Sequence, residues 1–182
     1  LIPSFQRRLI PVGSYIIVTE PLPEALQAEL SPRRRMFYDT KWFIHYFRLT
    51  PDGRMLWGGR NDLRAGQDLH QSAPLLSDQM LKVFPQLRDY KITHSWSGTL
   101  GVPFDLMPHI GQINGVHYAC GYAGHGLSIA TYLGTELGLR LSGQKTRSPF
   151  EEIPHPTRIY YRKRPWFLPL AAKYYRFLDL IS

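Results

Sequence analysis

The stretch from His117 to Gly134, HYACGYAGHGLSIATYLG, constrains this chain more than any other. A β-type run ends at Cys120, three glycines fall within the seven residues Gly121–Leu127, and a helical pattern starts at once. Glycine tolerates positive φ and leaves the main chain open to close approach. Strand, bare loop and helix in that order place the unpaired N–H groups of the helix's first turn, with the positive end of its dipole, at the carboxyl edge of a sheet. Two uses fit such a loop: an anionic ligand resting on the backbone, or tight packing of helix on strand. Neither GxxxxGK[ST] nor GxGxxG occurs in the chain, so the common phosphate-loop patterns do not apply. His125 has no histidine or carboxylate at ligand spacing, and no metal site is expected.

The helix should run from Leu127 to Leu141. Gly126, Ala130, Gly134 and Gly138 recur every fourth residue, a spacing that would let it lie close against a sheet. Ala130, Leu133, Leu137 and Leu141 form an apolar stripe. The first half of the chain reads as strands. SYIIVTEPL (Ser14–Leu22) is β-branched and apolar and closes on prolines, as a buried strand does. Ser31–Thr40 reads as loop. The aromatic run Trp42–Leu49, the turn Thr50-Pro51-Asp52-Gly53 and the run Arg54–Trp57 predict a hairpin. Alternation puts Phe43, His45, Phe47 and Leu49 on one face and Trp42, Ile44, Tyr46 and Arg48 on the other. Met80, Leu81, Phe84 and Leu87 predict a short helix over Ser77–Leu87. A strand is expected over Lys91–Trp96, then an irregular segment SGTLGVPFDLMPHIG, then a strand over Val116–Cys120.

With 182 residues, 43% hydrophobic, the chain can bury one sizeable core or slightly more. Its net charge of +8 would suit an acidic partner, but the basic residues cluster only as Arg33-Arg34-Arg35 and Arg162-Lys163-Arg164. No recognition helix or zinc-ligand spacing accompanies them, so no nucleic-acid role is expected. Cys120 is the single cysteine, which excludes an internal disulfide. No apolar run approaches the ~20 residues of a membrane span, and a cytoplasmic location is expected. In the tail, Leu170, Ala171, Tyr174, Phe177, Leu178 and Ile181 follow helical spacing, with Lys173, Arg176 and Asp179 on another face. An amphipathic helix is expected there, resting on its own domain, at a subunit interface of a homo-oligomer, or, the least favoured of the three, on a membrane.

SWSGTLGVPFDLMPHIG, followed by HYACGYAGHGLSIATYLGTELG and preceded by SYIIVTEPL and YFRLTPDGRMLWGGR, resembles the C-terminal half of the D-amino-acid oxidase superfamily of FAD-dependent oxidoreductases. The similarity is greatest to the branch holding glycine oxidase, sarcosine oxidase and gamma-glutamylputrescine oxidoreductase. The resemblance implies an α+β fragment, a mostly antiparallel substrate-domain sheet plus the returning strand and helix of an FAD-binding α/β domain. Residues 1–100 would be part of the substrate-domain sheet, 101–145 the C-terminal part of the FAD-binding domain, and 146–182 an extension carrying the amphipathic helix. It further implies FAD as cofactor, contacted by Gly121, Tyr122, Ala123, Gly124, His125, Gly126 and Leu127. The substrate would be a small amine or N-substituted amino acid, oxidised at its C–N bond to an imine. Tyr46, Arg48 and Trp96 are the side chains expected near it; no catalytic residue is assigned.

Three departures from the family pattern carry expectations. Trp96–Gly101 holds no arginine for a substrate carboxylate, which favours an amine or N-substituted substrate unless Arg48 or Arg60 substitutes. The same segment holds no cysteine, so FAD should be non-covalent. Arg54–Gly59 holds no lysine, and oxidase and dehydrogenase both stay open. The chain starts at Leu1 and lacks the dinucleotide fingerprint, so it is read as a fragment, inactive alone, whose partner is the N-terminal half of the same enzyme. A non-catalytic interaction module with a basic, aromatic surface is the alternative.

Overall fold

The structure is a computed structural model describing residues 3–60, 63–144, 148–162 and 164–181. Lys163, of the second basic run, and the terminal Ser182 lie outside the described residues. The architecture is α+β. Seven strands are present among the described residues: β1 (Leu9–Pro21), β2 (Phe37–Tyr38), β3 (Tyr46–Leu49), β4 (Arg54–Gly59), β5 (Ile92–Pro103), β6 (His109–Ile113) and β7 (Val116–Cys120). The helices are α1 (Glu24–Leu30), α2 (Leu69–Val83), α3 (Gly126–Leu141) and α4 (Leu168–Ile181). The chain divides into two compact units, Leu1–Val12 with Leu100–Trp166, and Gly13–Thr99 with Phe167–Ser182.

The second unit is built on a sheet in the order β2-β3-β4-β1-β5. The pairs β2–β3, β3–β4 and β4–β1 are antiparallel. The expected hairpin forms, with Leu49 opposite Met55 and Gly53 at φ 79°. Thr50 holds the turn: its Oγ1 donates to Asp52 at 2.6 Å and accepts from the Arg54 N–H at 3.0 Å. Strand geometry begins only at Tyr46, because Trp42 and Phe43 turn their N–H groups to the Asp179 carboxylate, at 2.7 and 3.0 Å, instead of to a neighbouring strand. The expected facing survives this. Phe43, His45 and Leu49 are buried, whereas Trp42 and Arg48 are exposed.

The core of this unit joins Tyr15, Ile17, Leu49, Met55 and Trp57 of the sheet to Leu76 and Met80 of α2, with Leu22 and Leu87. Phe47 stacks on Trp57 at 4.8 Å and 11° and receives the edge of Phe84 at 5.2 Å. Burying each such aliphatic side chain stabilises the fold by about 1.5–3 kcal/mol before entropy is counted. Helix α2 starts eight residues earlier than the pattern predicts. Asp68 caps it by accepting the His70 N–H at 3.0 Å. Pro74 forgoes one backbone bond inside the helix, which burial of Leu76 and Met80 offsets. His45 is fully partnered, its Nδ1 at 2.7 Å from Asp39 and its Nε2 at 3.1 Å from Gln79.

The segment expected to be irregular is strand for much of its length. β5 runs through Gly98 and Gly101 to Pro103, because it lies beside the 13-residue strand β1, whose ladder outweighs glycine's weak strand propensity. In the first unit, β6 pairs antiparallel with β7, His109 opposite Cys120 and Ile113 opposite Val116. Helix α3 follows β7, with Leu133 buried. Its small-residue stripe does not do what the spacing predicts: a Cβ at Gly134 or Gly138 would meet no atom within 4 Å. In the second unit α4 is helical as expected, but the face is different. Leu168 and Ala172 are buried, while Leu170, Tyr174, Phe177 and Ile181 are 57–65% exposed.

Candidate functional site

The bare loop lies in the first unit. β7 ends at Cys120, and Gly121 takes φ 83° with its Cα buried, so that a Cβ there would come within 2.6 Å of Pro103 Cγ and 3.1 Å of the Met107 carbonyl oxygen. Ala123 and Gly124 follow at φ 48° and 104°. The His125 N–H donates to the Tyr122 carbonyl at 2.8 Å, and α3 begins. Left-handed backbone at three of four consecutive residues re-aims the chain within one turn. That conformation costs a non-glycine residue such as Ala123 on the order of 1 kcal/mol.

Helix α3 is not capped by a side chain, and its first turn holds no acidic residue. The positive end of a 16-residue helix therefore stands uncompensated. Leu127, on that turn, is 94% exposed. Gly126 differs from Gly121, since a Cβ on it would make ordinary contact with Tyr122 at 3.9 Å. Backbone amides, a dipole end and glycine at this turn suit the anionic edge of a planar cofactor, so the residues present fit the flavin that the family resemblance implies. Burial pushes the Cys120 thiol up to about 11, which disfavours the thiolate.

Tyr46, Arg48 and Trp96 belong to the second unit. Tyr46 and Arg48 share the face of β3 opposite the aromatic core, paired with Gly58 and Leu56 of β4. An added Cβ at Gly58 would land on the Tyr46 ring. With no side chain there, the phenol crosses β4 and places its hydroxyl 2.9 Å from Ser14 Oγ on β1. Arg48 is exposed to solvent, and Trp96 on β5 is 44% exposed. Sequence reasoning did not single out Ser14 and Gly58. Their signal was the glycine pair Gly58-Gly59 facing an aromatic strand, legible only once the β3–β4–β1 order is known.

A second polar cluster occupies the first unit. His109 and His155 stack at 3.9 Å and 8°, and Arg8 Nη1 donates to the His155 carbonyl at 2.6 Å. His109 Nε2 lies 3.2 Å from Asp105. Burial lowers the His155 imidazole to about 4, His109 and Arg8 acting in the same sense. Among the described residues no group of three or more His, Cys, Asp or Glu is placed to hold a metal ion, and no helix is long and apolar enough to cross a membrane.

The family model described as FAD dependent oxidoreductase, DAO, matches residues 1–138. The gamma-glutamylputrescine oxidoreductase of Escherichia coli (strain K12) is 32% identical, the match covering 99% of this chain and 43% of that protein. The probable oxidoreductase OrdL of Haemophilus influenzae (strain ATCC 51907 / DSM 11121 / KW20 / Rd) is 31% identical over 97% of this chain and 40% of its own length. The chain thus spans about two-fifths of the length of these curated relatives. Among solved structures, the L-proline dehydrogenase from P. horikoshii aligns with a TM-score of 0.62 at 22% identity, covering 78% of this chain and 38% of the other. The glycine oxidase from Geobacillus kaustophilus aligns with a TM-score of 0.61 at 18% identity, over 82% and 40%. At these identities the two structures establish the fold alone.

Proposed function

The chain belongs to the DAO family of FAD-dependent oxidoreductases, and from that premise we propose that it is part of a longer flavoenzyme that oxidises the C–N bond of a small amine or N-substituted amino acid. The bare, uncapped loop before α3 is the observation that carries this reading. In it, the amides of Gly121–Leu127 hold the cofactor and the dipole of α3 favours its anionic form. FAD, when bound, supplies the hydride acceptor for the carbon next to the substrate nitrogen, leaving an imine that water hydrolyses. Tyr46, Arg48 and Trp96 orient the substrate. In this reading residues 1–100 and 146–182 serve the substrate-domain sheet and the extension, and 101–145 the FAD-binding domain.

FAD is held without a covalent bond, since Trp96–Gly101 offers no thiol and the Cys120 thiol is protonated at neutral pH. The test is to denature the full-length protein in acid and filter it. The yellow colour should pass the filter, and before denaturation an amine substrate should bleach it anaerobically with release of a carbonyl product. Colour retained on the polypeptide would refute the non-covalent assignment, and a full-length protein that carries no flavin would refute the function.

A further inference from the structure

Helix α4 carries two stripes, and its own unit covers only one of them. Leu168 and Ala172 are buried, Tyr175 packs on the Trp42 ring at 4.9 Å, and Asp179 accepts the N–H groups of Trp42 and Phe43. These positions follow i, i+4, i+7 and i+11 spacing, which is one face of a helix. Leu170, Tyr174, Phe177 and Ile181 repeat that spacing two residues further on, and at 3.6 residues per turn this is the opposite face. All of them, and Leu180 beside them, are more than half exposed. The anchored stripe thus holds the outward one in a fixed presentation. α4 lies beyond residues 1–138 that the family model matches, so the fold the family shares does not account for it.

The charges around the outward stripe are of one sign. Lys173 and Arg176, both exposed, lie along one flank of it. Asp179, the single acid of the helix, is turned inward to Trp42 and Phe43. Every outward ionised side chain of α4 is therefore cationic. Trp42, held beside the helix by Tyr175, is itself more than half exposed, and Lys41 next to it is exposed as well. A contiguous outward apolar surface marks a place of contact. Aromatic rings favour the boundary between hydrocarbon and water, and cations at its rim are drawn to lipid phosphates. A second copy of α4 would bring no outward acid to meet Lys173 and Arg176, whereas an anionic bilayer offers both an apolar medium and negative charge.

We propose that the outward stripe of α4, Leu170, Tyr174, Phe177, Leu180 and Ile181 flanked by Lys173 and Arg176, docks on the surface of an anionic phospholipid bilayer. The 14-residue helix lies along the membrane and does not cross it. This docking goes beyond the flavin chemistry proposed above and stands or falls without it.

The experiment uses the full-length protein and vesicles of phosphatidylcholine, alone or with an equal part of phosphatidylglycerol, read by co-sedimentation. Binding to the anionic vesicles should be about tenfold tighter than to the neutral ones. Leu170→Ser combined with Phe177→Ser should weaken it about tenfold and leave the urea midpoint in place, since both side chains point outward. Lys173→Glu should remove most of the preference for phosphatidylglycerol, and Val83→Ser, at an exposed position of α2, should change nothing. Wild type that stays in the supernatant, or binds both vesicles alike, overturns the proposal, as does anionic binding that survives the double serine variant. A serine variant with a lowered urea midpoint, in a protein whose wild type ignores vesicles, would mean that another part of the same polypeptide covers the stripe. A halved mass by light scattering would mean that a second copy covers it; either result overturns the docking. Should the double variant fail to fold, hydrogen exchange of the wild type decides. The amides of 168–181 should exchange more slowly on anionic vesicles, and unchanged exchange overturns the proposal.

Discussion

Tyr46 and Ser14, on strands separated by β4, share a 2.9 Å hydrogen bond because the intervening strand carries glycine at position 58. Gly58→Ala should therefore act through Tyr46. The added methyl forces the ring off the sheet and breaks the bond to Ser14, at a cost of about 1–3 kcal/mol. The same substitution in a Tyr46→Ala background should cost much less. Thermal or urea unfolding of the four proteins in this double-mutant cycle measures the coupling. Equal costs in the two backgrounds would show that Gly58 does not serve Tyr46.

Asp179 is the second long-range tie, its two carboxylate oxygens accepting the N–H groups of Trp42 and Phe43, more than 130 residues away in sequence. Tyr175, one turn earlier, meets the Trp42 ring at 4.9 Å. Asp179→Ala should lower stability by about 1–2 kcal/mol, the range for charge-assisted bonds that are partly exposed. Asp179→Asn should fall between, since an amide keeps one accepting oxygen. The readout is the urea midpoint, and an unchanged midpoint for the alanine variant would show that α4 is held by its apolar contacts alone.

The two uses of the bare loop can be separated by comparing its glycines. Gly121→Ala and Gly124→Val should reduce both stability and flavin content, because each position has positive φ and Gly121 also faces Pro103. Gly126 is different: it is helical and a Cβ there meets only ordinary contact. Gly126→Val should leave the thermal midpoint within a few degrees and still lower flavin occupancy in the full-length protein. Full flavin content in that variant would mean that this part of the loop is bare for packing rather than for a ligand.

The pH dependence of stability should carry the mark of His155. Its folded pKa, about 4, lies below the 6.5 of an ordinary imidazole. The unfolded chain therefore takes up the proton first as pH falls. The stability that depends on neutral His155 is complete above about pH 6.5 and is lost as pH drops from there through 4. Asp105 also has a lowered pKa, but its contribution is lost only below the ordinary carboxylate range, outside this window. His155→Gln should flatten the fall of the melting temperature between pH 6.5 and pH 4. A wild-type curve that is already flat there would show that His155 protonates freely in the folded state.

By itself the sequence determined the local pieces whose signals lie within a few residues. The Thr50–Gly53 turn, the alternation along Trp42–Leu49, the strand Val116–Cys120, the left-handed loop and α3 all follow from backbone preferences and side-chain periods, which neighbours in sequence largely settle. Tertiary structure decided the rest. β5 persists through two glycines because β1, some 75 residues earlier, supplies a ladder that no local propensity encodes. The tail's period predicted a helix, yet an apolar stripe cannot say which face will find a partner. Asp179 bonding to Trp42 and Phe43 turned α4 so that Leu170, Tyr174 and Phe177 point outward. Arg60, one arginine among many in the sequence, is set apart only by folding, which buries its Nε with no hydrogen-bond partner among the described residues, since desolvation is a property of the assembled surroundings and not of the residue.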